Sequence, residues 1–176
     1  MDTYGNIKNM TKDTYDNMYV YRLNVSNNND CQNSLLEDRY SKLKMLNINN
    51  NKNITDISMF AETLEVLYMS NTILDVGNLA CMKKLRVLRC DREFDDLCIN
   101  DLTNLHNTIR VLRTNGSQAD QSDLSKFKKI KKLYIYSDYC IADVRYISKT
   151  IYNFCFFSTK KSRIPDVTQI VQKASN

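Results

Sequence analysis

Seven copies of one short apolar pattern divide the chain into units of nearly constant length. The pattern is L-x-x-L-x-L, in which Ile, Val, Met, Phe or Cys also stand in for Leu. The copies begin at Val20, Leu43, Leu64, Leu85, Ile109, Ile130 and Ile151. They follow one another at spacings of 23, 21, 21, 24, 21 and 21 residues. A period in the twenties with this internal spacing predicts a solenoid in which every unit contributes one short β-strand.

Strand alternation assigns an inward or outward direction to each position of the unit. We number the first apolar residue of each unit as position one, so that positions one, four and six point inward. Position four holds Leu23, Leu46, Leu67, Leu88, Leu112, Leu133 and Phe154. Position six holds Val25, Ile48, Met69, Cys90, Thr114, Ile135 and Phe156, so that only Thr114 breaks an apolar column.

A second apolar set after each strand returns the chain to the start of the next unit. Its members are Ile54, Ile57, Phe60; Leu74, Val76, Leu79, Met82; Leu97, Ile99, Leu102, Leu105; Leu124, Phe127; and Ile141, Val144, Ile147. These segments are too short for long helices, so we expect short helical turns or extended pieces. The fourth unit is three residues longer than most and has room for a short helix.

The stretch NITDISMFAETLEVLYMSNTILDVGNLACMKKLRVL resembles the short leucine-rich repeats of bacterial internalins and of phosphatase-regulator proteins. The likeness covers residues 20–159. It implies an α/β leucine-rich repeat solenoid of about seven coils, with a parallel sheet on the concave face and short helical or extended segments on the convex face. It also implies a binding role without catalysis. The chain departs from the family at position nine, where an Asn side chain bonds the turn backbone and only Asn28 and Asn51 remain here.

The chain length fits a single domain with a cap at each end of the repeats. A solenoid exposes its first and last coils, which therefore need covering. We expect an N-terminal cap at residues 1–19, repeats at 20–159 and a C-terminal cap helix at 160–176. Within the last segment, Pro165 precedes DVTQIVQKA, which reads as a short amphipathic helix.

Composition argues against an enzyme, a metal site and a membrane protein. No G-x-S-x-G, phosphate-binding Gly loop or H-E-x-x-H occurs, and we expect no catalytic residue and no cofactor. We predict that the six cysteines are free thiols, since a reducing cytosol disfavours disulfides, with Cys90 and Cys140 in the core. The absence of a C-x-x-C pair argues against a zinc site. The only histidine, His106, is expected to cap a turn or contact solvent. With no apolar leader or long apolar run, we expect a cytoplasmic location.

Outward positions three, five and seven predict a partner-binding surface on the concave face. Position five contributes Tyr68, Arg89, Arg113 and Tyr134, and position seven adds Asp91 and Tyr136. Tyr and Arg are enriched at interface hot spots, and two neighbouring Arg residues repel one another unless an anion lies between them. We therefore predict a non-catalytic interaction module that binds a protein with an acidic surface through these six residues.

Nucleic-acid binding through the same basic stripe is the alternative. Arg86 and Arg110 add to the stripe, and a net charge of +5 permits an acidic partner without requiring nucleic acid. The cluster of Lys126, Lys128, Lys129, Lys131 and Lys132 is interrupted by apolar repeat positions, which predicts lysines scattered around a coil and solvated. No stacking motif of an RNA-binding fold is present, and the salt dependence of binding separates the two functions.

Overall fold

The repeats form one parallel sheet in which every strand lies beside the next one in the sequence. The computed structural model describes residues 20–33, 40–74, 77–90, 102, 104–115, 126–136 and 151–157. The strands are β1 (Arg22–Asn24), β2 (Met45–Asn47), β3 (Val66–Tyr68), β4 (Val87–Cys90), β5 (Val111–Asn115), β6 (Lys132–Tyr136) and β7 (Asn153–Phe157). Their order in the sheet is β1 to β7, and all six pairings are parallel. The architecture is a β-solenoid with little helix.

The strand register follows the repeat numbering without a slip. Leu46 pairs with Leu23 on one side and with Leu67 on the other, and this position-four alignment continues to Phe154. One hydrogen-bond pattern recurs at the start of each strand. The carbonyl at position two accepts the N–H groups of positions two and three in the next unit, as when Tyr21 accepts from Lys44 and Met45 at 2.9 and 3.1 Å.

Positions four and six form the core of the sheet. All residues at position four are buried from β1 to β6, and Phe154 of β7 is half-buried. Position six is buried in β1 to β6 and includes Thr114, which is only 1% exposed. These burials confirm the inward assignment within the described residues.

Among the described residues, the return segments contain short helical pieces, as the segment lengths predict. A 3-10 turn spans Ser58–Phe60, and helix α1 spans Gly77–Ala80. Ile54, Ile57 and Phe60 are completely buried beneath the sheet, and so is Leu79 of α1. In the return of the fourth unit, Leu102 and Leu105 are completely buried as predicted, while residues 91–101 lie outside the described residues. The returns at 116–125 and 141–147 and both predicted caps also lie outside them.

The core also contains residues that the repeat pattern does not identify. Cys31 and Tyr40, in the segment of chain that connects β1 to β2, are both buried. The expected solvent contact of His106 was wrong, because this residue is only 9% exposed and its ring packs edge-on against Phe127 with centroids 4.5 Å apart. The alternation of strand positions carries no information about these segments, where the chain leaves the sheet.

Asparagines at positions eight and nine turn the chain after the first strands. Asn27, Asn50 and Asn71 at position eight have φ angles of 57°, 57° and 53°, in the left-handed region that Asn tolerates better than most residues. Their side chains form a ladder, in which Asn71 Nδ2 donates to Asn50 Oδ1 at 3.0 Å and Asn50 Nδ2 donates to Asn27 Oδ1 at 2.8 Å. The ladder thus links neighbouring units at the same turn.

Asn51 at position nine points inward and satisfies the backbone of two turns. It is completely buried. Its Nδ2 donates to the carbonyls of Asn28 at 2.7 Å and Cys31 at 3.1 Å, while its Oδ1 accepts from the N–H groups of Asn53 and Ile54. Thr72 replaces it in the next unit and donates its hydroxyl to the Met69 carbonyl at 3.1 Å. The later members of this column, Glu93, Ser117, Asp138 and Thr159, lie outside the described residues.

Truncation of the leucine column tests this packing. Leu67→Ala should lower the free energy of unfolding by about 2–5 kcal/mol, because the lost contacts leave a cavity between two neighbouring leucines. Ile73→Ala is the matched control, since Ile73 is 56% exposed. Urea unfolding curves of the two variants check the prediction, and equal stability of the Leu67 variant and the parent would contradict the register.

Replacement of the buried amide tests the turn. Asn51→Ala should lower the unfolding free energy by at least about 2 kcal/mol, since each buried polar group left without a partner costs about 1–3 kcal/mol. The side chain of the exposed Asn53 donates to the Asn29 carbonyl at the surface, so Asn53→Ala should cost less than about 1 kcal/mol. Thermal and urea unfolding of both variants would contradict the assignment if Asn53→Ala proved the more damaging change.

Candidate partner-binding face

Four of the six predicted contact residues stand in one row across four neighbouring strands. Tyr68 of β3 pairs with Arg89 of β4, which pairs with Arg113 of β5, which pairs with Tyr134 of β6. They belong to position five, on the surface of the sheet opposite the core. We call this surface the outer face. The predicted alignment of these four residues is confirmed.

The contacts within this row are aromatic and cationic. The guanidinium carbon of Arg89 lies 4.7 Å from the centroid of the Tyr68 ring, within range of a cation–π interaction. Arg89 is exposed, whereas Tyr68, Arg113 and Tyr134 are half-buried. The ring therefore holds Arg89 on the outer face and leaves room around its guanidinium for an anionic group.

The other two predicted residues are placed less completely. Tyr136 pairs with Asn115 in the register of β5 and β6, and the structure does not describe its side chain. Asp91 follows β4 directly and lies outside the described residues. The structure therefore places four of the six predicted residues side by side.

A second row of charged residues runs along position two, at the start of the strands. Lys44 Nζ lies 2.9 Å from Glu65 Oε1, and Arg86 Nη1 lies 3.8 Å from Glu65 Oε2. The hydrogen bond from Lys44 lowers the pKa of Glu65, and the charges of Lys44, Arg86 and Lys84 lower it further. The carboxylate is therefore ionised at neutral pH and offsets part of the positive charge beside it.

Beyond Glu65 the outer face carries only positive charge among the described strand positions. Positions two, three and five of the next three units contain six cationic residues and no acidic one. They are Arg86, Arg89, Arg110, Arg113, Lys131 and Lys132. Lys126, Lys128, Lys129 and Lys131 are exposed, as predicted for solvated lysines, and Lys132 is half-buried. Lys131 and Lys132 lie beside Arg110 and Val111 on the sheet, while the other three precede the strand.

An apolar row at position three lies between the two charged rows. Met45, Val66, Val87 and Val111 pair with one another in sequence across β2 to β5, and all four are half-buried. We call Val66, Val87 and Val111 the valine row. These residues were not among the six predicted contacts, although position three reads Met, Val, Val, Val in four successive units.

Positions two and three share the outer face despite being consecutive in the chain. The ammonium of Lys132, at position three, lies 5.8 Å from the ring centroid of Tyr152, at position two of the next unit. This arrangement agrees with the repeated backbone pattern, in which one carbonyl accepts from both positions. The outer face therefore has three parallel rows, at positions two, three and five.

The described residues offer no metal-binding chemistry and no membrane-spanning helix. No group of three or more His, Cys, Asp or Glu side chains is arranged to hold an ion within these ranges. No helix in the same part of the chain is both long and apolar enough to cross a bilayer. Cys31, Cys81, Cys90 and Cys155 are free thiols, and the remaining two cysteines lie outside the described residues.

Comparison with known proteins gives no further assignment. No protein-family model matches the chain, and no curated protein is significantly similar to it in sequence. The geometry of the outer face therefore carries the functional argument.

The thiols should differ in their reactivity. Burial raises the pKa of Cys31, so its reactive thiolate forms only at higher pH than for an ordinary thiol. Cys31 and the buried Cys90 should therefore react more slowly with a thiol reagent at neutral pH than the half-buried Cys81 and Cys155. Mass spectrometry after timed alkylation checks the order, and non-reducing denaturation should expose six thiols. Fewer than six would contradict the prediction that all the cysteines are free.

Proposed function

We propose that the chain is a non-catalytic leucine-rich repeat protein that binds a partner protein on the outer face of its sheet. In this interpretation the outer face is the concave surface of seven repeats, and the module acts as an adaptor, a regulatory subunit or a competitor for its partner. The contact surface is centred on Tyr68, Arg89, Arg113 and Tyr134. No cofactor takes part.

Three features support the leucine-rich repeat assignment. The strands are parallel and sequential, and one leucine column passes through them in register. The buried Asn51 at position nine bonds the turn backbone as the family asparagine does in the resemblance. The return segments contain only short helical pieces within the described residues.

The observation that carries the functional proposal is the valine row, which has arginines on both sides at Val87 and Val111. A half-buried apolar row gains free energy when another apolar surface covers it, by about 25 cal/mol for each Å² removed from water. Arg and Tyr beside such a row are the residue types that dominate protein interfaces. A phosphate backbone would use the arginines and would leave the valines without a partner, which is why we favour a protein.

The charge of the face indicates the sign of the partner. Arg113 lies directly beside Arg89 in the register, where like charges are mildly destabilising. Carboxylates of a partner would form charge-assisted hydrogen bonds with the exposed Arg86, Arg89 and Arg110. We therefore propose an acidic partner surface. We also propose a cytoplasmic location, where the reducing environment keeps cysteines as thiols.

Removal of the two central arginines tests the proposal. Arg89→Ala with Arg113→Ala should weaken partner binding by about 2–4 kcal/mol, since a single hot-spot residue contributes about 2 kcal/mol or more. The fold should persist, because neither side chain belongs to the core columns. Lys83→Ala with Lys84→Ala is the charge-matched control, since both lysines are exposed and precede β4. The parent and the two double variants are each used to capture the partner from cell extract. Titration of each protein with the purified partner then gives its affinity.

Two results would contradict the proposal. Equal affinity of the parent and the double arginine variant would move the site to another surface. Capture of nucleic acid with an affinity that falls by orders of magnitude between about 50 and 200 mM salt would instead support the nucleic-acid alternative. Circular dichroism of the double variant separates loss of binding from loss of fold.

A further inference from the structure

The spacing of the three rows on the outer face limits the shape of the partner segment that can bind there. Positions two and five are three residues apart, which corresponds to roughly 10 Å at about 3.3 Å per strand residue. The valine row lies between them. Arg86 and Arg110 stand on one side of it, and Arg89 and Arg113 stand on the other. The apolar track thus has positive charge on both sides at Val87 and Val111, whereas Glu65 and Tyr68 flank it at Val66.

The track runs across the strands, along the axis of the solenoid. Neighbouring strands lie about 4.8 Å apart, so the three valines span roughly 10 Å and Met45 extends the row to roughly 14 Å. An α-helix with its side chains is about 10–12 Å wide and rises about 1.5 Å per residue. Apolar residues at i, i+3 or i+4, and i+7 of such a helix cover about 10.5 Å, which matches the valine row.

We propose that the outer face of β3 to β6 binds an amphipathic α-helix of the partner, lying across the strands with acidic residues on both sides of its apolar ridge. The ridge packs on Val66, Val87 and Val111. Acidic side chains on one flank bind Arg86, Arg110 and Lys131, and those on the other flank bind Arg89 and Arg113. This inference rests on the proposed function and specifies the kind of partner segment that the face recognises.

Other occupants fit the face less well. An extended peptide gains its affinity by adding to a free sheet edge, but β3 to β6 are paired on both sides within the sheet. Side chains on one face of such a peptide would also repeat at about 6.6 Å, against about 4.8 Å between the valines. A nucleic acid would contact the positive borders and leave the apolar track uncovered. The helix is the occupant that uses all three rows.

The test uses designed peptides of about 18 residues with blocked ends, long enough to form helix in water. The first peptide carries Leu at i, i+3, i+4 and i+7 and Glu on both flanks of that ridge. The second has the same composition with the Leu and Glu positions exchanged, and the third has Pro at its centre, which breaks the helix. Fluorescence anisotropy with the full chain should show the first peptide binding at least about tenfold more tightly than either control, a difference of about 1.4 kcal/mol.

Substitution of the central valine separates packing from charge. Val87→Lys adds a positive charge and removes the middle of the apolar track. It should weaken the first peptide at least about tenfold, whereas an occupant held by charge alone would bind more tightly. Val87→Thr preserves the β-branched shape and strand preference, so it tests the same contact even if Val87→Lys does not fold. It should also weaken binding of the first peptide.

Each remaining outcome has a defined meaning. If the proline peptide binds as well as the helical one and both depend on Arg89 and Arg113, the helix inference fails and the protein-binding proposal stands. If a single-stranded oligonucleotide binds with steep salt dependence, Val87→Lys tightens it and no peptide binds, both fail. Tight binding of the helical peptide that Val87→Lys leaves unchanged or strengthens also overturns the inference.

Discussion

The alignment of the position-four leucines is the constraint on which the rest of this molecule depends. A three- to five-residue strand cannot bury its own apolar side chains, so each leucine needs the leucine of the preceding and following units. Leu46, Leu67 and Leu88 are completely buried in this way. Once these residues are in register, the backbone bonds place every other position of one unit beside the same position of the next. The rows of the outer face are a direct consequence of the core column.

Hydrogen bonds of asparagine side chains in the turns after the strands maintain this register. The chain contains only three glycines, so residues with positive φ are supplied by asparagine at Asn27, Asn50 and Asn71. Each of these side chains bonds its neighbour along the solenoid axis, and the buried Asn51 bonds two carbonyls of the preceding unit. The abundance of asparagine in the first half of the repeats therefore has a structural use, because the same residue type supplies both the left-handed backbone and the link between units.

The repeat period predicts the sheet, its order, the inward columns and the row of Tyr68, Arg89, Arg113 and Tyr134. Each of these follows from one alternation applied to seven aligned copies, and so each could be read from the sequence. The burial of His106 against Phe127 could not, since it depends on the path of a segment outside the strands. The asparagine ladder could be predicted only by comparing position eight across the units, where Asn27, Asn50 and Asn71 align. The sharing of one face by positions two and three also departs from simple alternation, and for that reason the valine row between basic rows emerged only from the structure.

The central claim is that the repeat register places Val66, Val87 and Val111 together on the outer face, with arginines on both sides of Val87 and Val111. Methyl NMR of valine-labelled protein with a soluble paramagnetic agent tests it most directly. The account predicts nuclear Overhauser contacts from the Val87 methyl groups to those of Val66 and of Val111, together with broadening of all three by the agent. Val87 methyl signals that resist broadening and contact core residues such as Leu79 would show that the outer and inner faces have been exchanged, and the binding face described here would not exist.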